Sequence, residues 1–401
     1  MSKQSILIFE LFAYIFVGWG VMTWLKGKMR EALFLLLNLA ALYVFFFNAP
    51  DGRYLATYLA YIVLALICYV ALRLTASKPG SLPWIAFFTP LLFWALVRYL
   101  PPSIYGGSHL PYGPLFVGIS YLAFRLSHLV VEVRNGVVAR PGLVRYLGYC
   151  FFLPTIPVGP INPYSKYQRA LEGPKAVLPM GGALIRLLVG LVKFKFVGSV
   201  FFQLSYANLL LDDHYHPWID LPVAMVCYLL FLYCNFSGFC DMAIGAAALM
   251  GVPVAENFEN PLAARNMREF WNRWHITLSQ YMRDILFSPL SKFLARIFGP
   301  SKANHAVAIS IFLVFLLIGI WHGVGWNYVA FGLTQSLGVT SVFYYTLWLK
   351  KKLGRQGFQA YNENRWVQAM AVTITFLYFS ATLFLFANTP EEMKKIIACL
   401  R

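Results

Sequence analysis

Long apolar runs recur from one end of this 401-residue chain to the other, and they constrain the fold more than any motif does. Inside lipid every backbone N–H and C=O must bond within its own segment, and a spanning helix needs about 20 apolar residues. Runs of that kind are predicted over residues 6–25, 32–47, 55–74, 84–100, 114–131, 182–202, 222–250, 305–321, 328–349 and 367–387. Only 12% of the residues are charged, about half the share usual in a soluble domain. The expectation is an all-α polytopic membrane protein with about eleven spanning or membrane-embedded pieces, including re-entrant segments. The first run is too long and continuous for a cleaved signal and is kept as a span. No stretch reads as a soluble domain, so residues 1–401 are taken as one integral-membrane domain.

The loops give an orientation. Those after the first, third and fifth spans carry Lys26, Lys28 and Arg30, then Arg73 and Lys78, then Arg134, Arg140 and Arg145. Those after the second and fourth carry Arg53 beside Asp51, and then no charge. Basic loops stay inside, which puts the N-terminus outside the cytoplasmic (inner) membrane. The net charge of +17 is read the same way, as basic residues facing anionic head groups rather than nucleic acid. Such a face also suits an acidic carrier protein or a phosphate-bearing donor such as coenzyme A. The six cysteines lie mostly inside apolar runs without a CxxC pair, so neither a disulfide framework nor a zinc site is expected.

Polar exceptions within the runs mark places to look. Arg125, His128 and Glu132 share one helical face in the fifth span. They read either as a network locking helices together or as the wall of a donor pocket. The stretch YLGYCFFLPTIPVGPINPYSKY (residues 146–167) holds Pro154, Pro157, Pro160 and Pro163, which rule out a continuous helix. A buried, broken segment is predicted there, with Gly159 and Pro160 permitting close backbone approach. In YCNFSGFCDMAIG, Asn235, Ser237 and Asp241 interrupt an apolar run. Asp241 is either the partner of an arginine or part of a polar cavity.

The least membrane-like long stretch is residues 256–290, ENFENPLAARNMREFWNRWHITLSQYMRDILFSPL. Met267, Phe270, Trp271, Trp274, Leu278, Tyr281, Met282 and Ile285 fall on one helical stripe. Arg268, Glu269, Asn272, Arg273, Gln280, Arg283 and Asp284 fall opposite. One amphipathic helix is predicted between Pro261 and Pro289, at the interface or wedged between spans, with breakage into shorter pieces left open. His275 sits at the border of its stripe. His322, in GIWHG, follows the next apolar run. Both histidines come directly after a tryptophan, and imidazole suits activation of a hydroxyl nucleophile. His109, His214 and His216 lie in polar loops and are read as solvated rather than metal-binding. There is no GxSxG elbow, Walker motif or HExxH.

The strings GISYLAFRLSHLVVEVRNG, FFLPTIPVGPI, NFSGFCDMAIG, ENFENPLAARNMREFWNRWHITLSQYMRD and GIWHG occur in one order over most of the chain after Gly118. In this the chain resembles the membrane-bound O-acyltransferases, in particular their bacterial envelope branch, whose members acetylate alginate or transfer D-alanine to teichoic acids. The resemblance implies helices around a central tunnel, with N-terminal spans over 1–117, a family core over 118–388 and a tail over 389–401. It implies that His322 is the catalytic base and that His275 positions or polarises the donor, by analogy with an oxyanion contact. Trp274, Trp321, Asn272, Arg273, Ser279, Asn235, Ser237, Asp241 and Arg125 become candidates for lining the tunnel or donor pocket. The implied donor is a cytoplasmic thioester (acetyl-CoA or an acyl-carrier protein), with no bound cofactor and no metal. The implied acceptor is a hydroxyl of an envelope glycopolymer or of an extracytoplasmic transferase protein. The chain departs from alginate-type members in having Asn235 where they carry an acid, and Ser291-Lys292-Phe293 where they carry Gly-Gly-Asn. Acetyl and D-alanyl transfer both stay open. So do a proton-coupled transporter or flippase, and a lipid or protein O-acyltransferase.

Overall fold

The computed structural model describes residues 3–75, 83–99, 116–172, 180–206 and 216–398. The expected lower end of the fifth span, Lys78, His109 and His214 lie outside them. The described residues are helical: α1 (Lys3–Trp24), α2 (Gly27–Leu42), α3 (Gly52–Thr75), α4 (Trp84–Tyr99), α5 (Ile119–Arg134), α6 (Leu143–Cys150), α7 (Tyr164–Glu172), α8 (Met180–Val192), α9 (Gly198–Gln203), α10 (Pro217–Leu249), α11 (Met267–Arg273), α12 (Ile276–Met282), α13 (Ser288–Phe298), α14 (Ala303–His322), α15 (Trp326–Glu363), α16 (Arg365–Ala387) and α17 (Pro390–Ala398). Five stretches among them are long and apolar enough to cross a membrane: Gly27–Phe47, Gly52–Thr75, Trp218–Leu249, Pro300–His322 and Arg365–Ala387. The other expected spans are helical over most of their described residues: α4 and α5 have 16 residues each, and α1 and α15 run unbroken through 6–24 and 328–349. α8 runs into α9 through a wider turn at Lys193–Val197, and α15 bends at Gly354, where φ is +65°. The five described cysteines are buried, as their apolar setting implied.

Two compact units divide the chain, one of Met1–Gly190 with Phe239–Ala255 and the other of Leu191–Gly238 with Glu256–Arg401. In the first, the proline-rich stretch after α6 is irregular and buried, as expected. A short 3-10 turn at Leu153–Thr155 is followed by a bend over residues 156–158 and irregular chain to Pro163. Buried irregular backbone needs partners for its polar groups. Asn38 of α2 supplies one, since its Oδ1 accepts from the Leu153 N–H at 2.9 Å and from the Tyr14 hydroxyl at 2.8 Å. A Cβ at Gly159 would sit 2.5 Å from the Pro154 carbonyl oxygen, so only glycine lets this chain fold back on itself.

The polar face of α5 reaches neighbouring segments of the chain. Arg125, 1% exposed, donates through Nη2 to the Tyr149 carbonyl and lies 4.4 Å over the Tyr149 ring. Glu132 accepts from the Tyr164 N–H at 2.9 Å and the Ser165 N–H at 3.3 Å, at the start of α7, and pairs with His128 at 3.5 Å. A carboxylate there satisfies orphan N–H groups and opposes the positive helix end. Asp241 pairs with Arg186 at 3.0 Å, which realises the arginine-partner alternative.

The second unit is built on an aromatic core. Leu229, Phe270, Trp271, Trp274, Phe331, Phe379 and Leu383 form one buried cluster drawn from α10, α11, α15 and α16. α14 and α15 meet through glycines. A Cβ on Gly319 would lie 2.5 Å from the Tyr328 carbonyl oxygen and 2.6 Å from the Gly332 Cα. Small residues at such a crossing let helix backbones approach closely, which fixes the end of α14 where His322 stands.

Candidate active site

The predicted amphipathic stripe is real: Met267, Phe270, Trp271, Trp274, Leu278, Tyr281 and Met282 are all buried, and Ile285 half-buried. It is not one helix. α11 ends at Arg273, Trp274 is extended, and α12 starts at Ile276. The break falls at His275, whose backbone is left-handed (φ 45°, ψ 52°). Asn260 is the other non-glycine residue with positive φ among the described residues. Such a conformation costs on the order of 1–3 kcal/mol and persists only where its surroundings fix it.

Here the surroundings are the preceding chain. Residues 257–259 run antiparallel to residues 273–276. The Glu259 N–H donates to the Arg273 carbonyl and the Ile276 N–H to the Asn257 carbonyl, both at 3.0 Å. The Trp274 N–H still reaches back to the Phe270 carbonyl at 2.8 Å. Trp274 stacks on Phe270 at 5.4 Å, inside the aromatic core. Three independent restraints therefore place the His275 Cα.

The ring of His275 is buried, 3% exposed. Phe236 of α10 meets it edge-on at 4.8 Å, and Trp321 of α14 lies 6.4 Å away. Its Nδ1 lies 3.2 Å from Oδ1 of Asn257. Burial, helped by the charge of His322, pushes its pKa down to about 3. His322 is half-buried, with its ring 4.5 Å from Trp321 and edge-on to Phe386 of α16 at 5.0 Å. Two imidazoles 47 positions apart in sequence thus meet around one indole, one ring buried and the other partly accessible.

The other candidates sort by place. Trp274 and Trp321 belong to this aromatic wall. Ser237 is buried one residue past Phe236, and Asn235 is half-buried one residue before it. The Ser279 hydroxyl is spent on the Trp271 carbonyl at 2.9 Å. Arg273 pairs with Glu269 at 2.6 Å. Asn272 is exposed and accepts from Arg283 at 3.1 Å. Arg125 and Asp241 belong to the first unit and to the contacts described there.

Asn257, Thr277 and Gln335 were not anticipated. Gln335 accepts from the Trp271 indole N–H at 3.3 Å and donates to the Thr382 hydroxyl at 2.8 Å, satisfying a buried donor of the core. Asn257 stood in the right stretch, but a single asparagine between Glu256 and Phe258 carries no periodic signal.

The sequence pattern of the membrane-bound O-acyltransferase family matches residues 4–386. A teichoic acid D-alanyltransferase of Bacillus subtilis is 26% identical over 97% of this chain and 99% of its own length. One from Streptococcus thermophilus is 27% identical over 95% of each. A probable alginate O-acetylase of Pseudomonas putida is 28% identical over 54% of this chain and 43% of its own. The chain is a multi-pass membrane protein and an acyl-transferring enzyme, and it belongs to the membrane-bound O-acyltransferase family.

Proposed function

We propose that this protein moves a D-alanyl group from a cytoplasmic thioester across the membrane to a hydroxyl of an envelope glycopolymer or of a dedicated extracytoplasmic acceptor protein. The observation that carries the proposal is the meeting of His275 and His322 around Trp321 in an aromatic wall. D-alanyl is favoured over acetyl because the likeness to the teichoic acid D-alanyltransferases runs the whole chain, whereas that to the probable alginate O-acetylases covers about half. In this reading about eleven embedded pieces surround a tunnel in one domain, the N-terminus lies outside, and the basic loops meet an acyl-carrier protein inside.

His322, the more accessible ring, is the general base. It takes the proton of the acceptor hydroxyl as the oxygen bonds to the thioester carbonyl carbon. The tetrahedral adduct then collapses, the carbon–sulfur bond breaks, and the leaving thiolate takes up the proton. A positioned base of this kind contributes about 10²–10⁴ in rate. The aromatic rings exclude water, which would otherwise hydrolyse the thioester. No metal or cofactor enters the step.

Mass spectrometry of esters released by mild alkali from envelope polymers tests the donor, comparing wild type with a gene deletion. Loss of D-alanine is the expected result. Loss of acetate reassigns the donor, and loss of neither removes acyl transfer to the envelope altogether.

A further inference from the structure

Asn257 is fully buried, and its side-chain oxygen is the meeting point of three groups. The Thr277 N–H lies 3.2 Å away, the Thr277 hydroxyl 2.9 Å, and Nδ1 of His275 3.2 Å. A backbone N–H can only donate. The atom it reaches is therefore the amide oxygen and not the amide nitrogen, which settles the orientation that asparagine side chains otherwise leave open. An amide oxygen offers only lone pairs, so Nδ1 of His275 must bring the hydrogen. In a neutral imidazole the other nitrogen then carries the lone pair. Burial keeps the ring neutral.

We propose that Asn257 is a positioning residue that locks His275 as the Nδ1–H tautomer, so that Nε2 meets the bound reactants as a hydrogen-bond acceptor. The inference rests on the acyl-transfer reading above and deepens it. It departs from the oxyanion contact that the family resemblance implied. A nitrogen without hydrogen cannot donate to a developing oxyanion. Nε2 instead receives an N–H or O–H of the bound donor or acceptor.

The same oxygen explains the broken helix. α12 starts at a left-handed residue whose side chain caps nothing. Asn257 supplies the missing cap from another part of the chain by accepting the Thr277 N–H. One buried oxygen thus sets the helix start, the ring angle and the tautomer. Among the described contacts, the groups facing the ring are Asn257, Phe236 of α10, and Trp321 and His322 of α14. Of these only His322 has an ionisable side chain.

The test uses the full-length protein in nanodiscs, with nitrogen-15 labelled histidine, and a transfer assay with the thioester donor. The wild-type spectrum should show Nδ1 of His275 protonated and Nε2 bare. Asn257→Leu should lose that pattern and lower kcat about a hundredfold, with KM for the donor within about threefold. Asn257→Asp keeps the acceptor and adds a charge that favours the protonated ring. It should retain kcat within about tenfold and move the acidic limb of the rate profile up by about one pH unit. A purely structural Asn257 would change the amount of folded protein but neither profile nor tautomer. An Nε2–H signal in the wild type, or an Asn257→Asp profile identical to wild type, overturns the inference. Failure of the underlying reading looks different: His322→Ala would keep transferring, whatever tautomer His275 shows.

Discussion

The polar cluster on α5 and the one around His275 both sit in aromatic surroundings, yet they use their hydrogen bonds differently. On α5 the polar groups reach the backbone of neighbouring segments: Arg125 the Tyr149 carbonyl, and Glu132 two N–H groups at the head of α7. Around His275 they converge on one ring and one strained backbone position. The first pattern holds elements together. The second aims a side chain. An ionisable residue in an apolar run therefore does not by itself mark a reaction centre, and where its hydrogen bonds end tells the two cases apart.

Breaking the α5 cluster should have the largest effect on stability. Glu132→Ala leaves buried donors at the start of α7 without their carboxylate, and removing one partner of a buried charged set costs about 3–5 kcal/mol. Thermal unfolding in detergent should fall accordingly, with activity per folded molecule unchanged. A drop in kcat at wild-type stability would move the α5 cluster into the catalytic class.

Gly319→Ala comes next. Its new methyl meets the Tyr328 carbonyl oxygen at 2.5 Å, so α14 must shift. Overpacking of this kind costs about 1–3 kcal/mol, and the displaced His322 should lower kcat more than it raises KM. An unchanged kcat would show that the helix crossing does not set the histidine.

A pH titration sharpens the other side. His275 is neutral when folded, with its pKa lowered by burial to about 3. Its contribution to stability is complete above the ordinary imidazole value near 6.5, and it is lost as pH falls from there toward the folded value, by about 1.4 kcal/mol per pH unit. His275→Gln should remove that slope between pH 6.5 and 4. A wild-type and a variant curve running parallel would contradict the neutral buried ring. Asn272→Ala should do least: exposed and bound only to Arg283 among its described contacts, it should change transfer by less than twofold.

Much of this was legible beforehand. The helices lie close to the predicted apolar runs because lipid imposes a length and a composition that sequence displays directly. The buried broken segment after α6 was announced by its four prolines. The amphipathic face was legible from Met267 to Met282 because helical periodicity survives the break at His275. The break itself was not, since it depends on Asn257, 18 positions upstream, and on backbone bonds from residues 257–259. Asn272 and Arg273 were drawn into the candidate site by nearness in sequence to His275. Their contacts with Arg283 and Glu269 are carried only by the fold.

His322 is the residue proposed to perform the chemistry. Membranes carrying wild type or His322→Ala at equal level should be given labelled aminoacyl thioester and acceptor, and ester formation followed. The account predicts that the variant folds with wild-type thermal stability and forms ester at least about a hundredfold more slowly. Ester formation at the wild-type rate by the His322→Ala protein would contradict it.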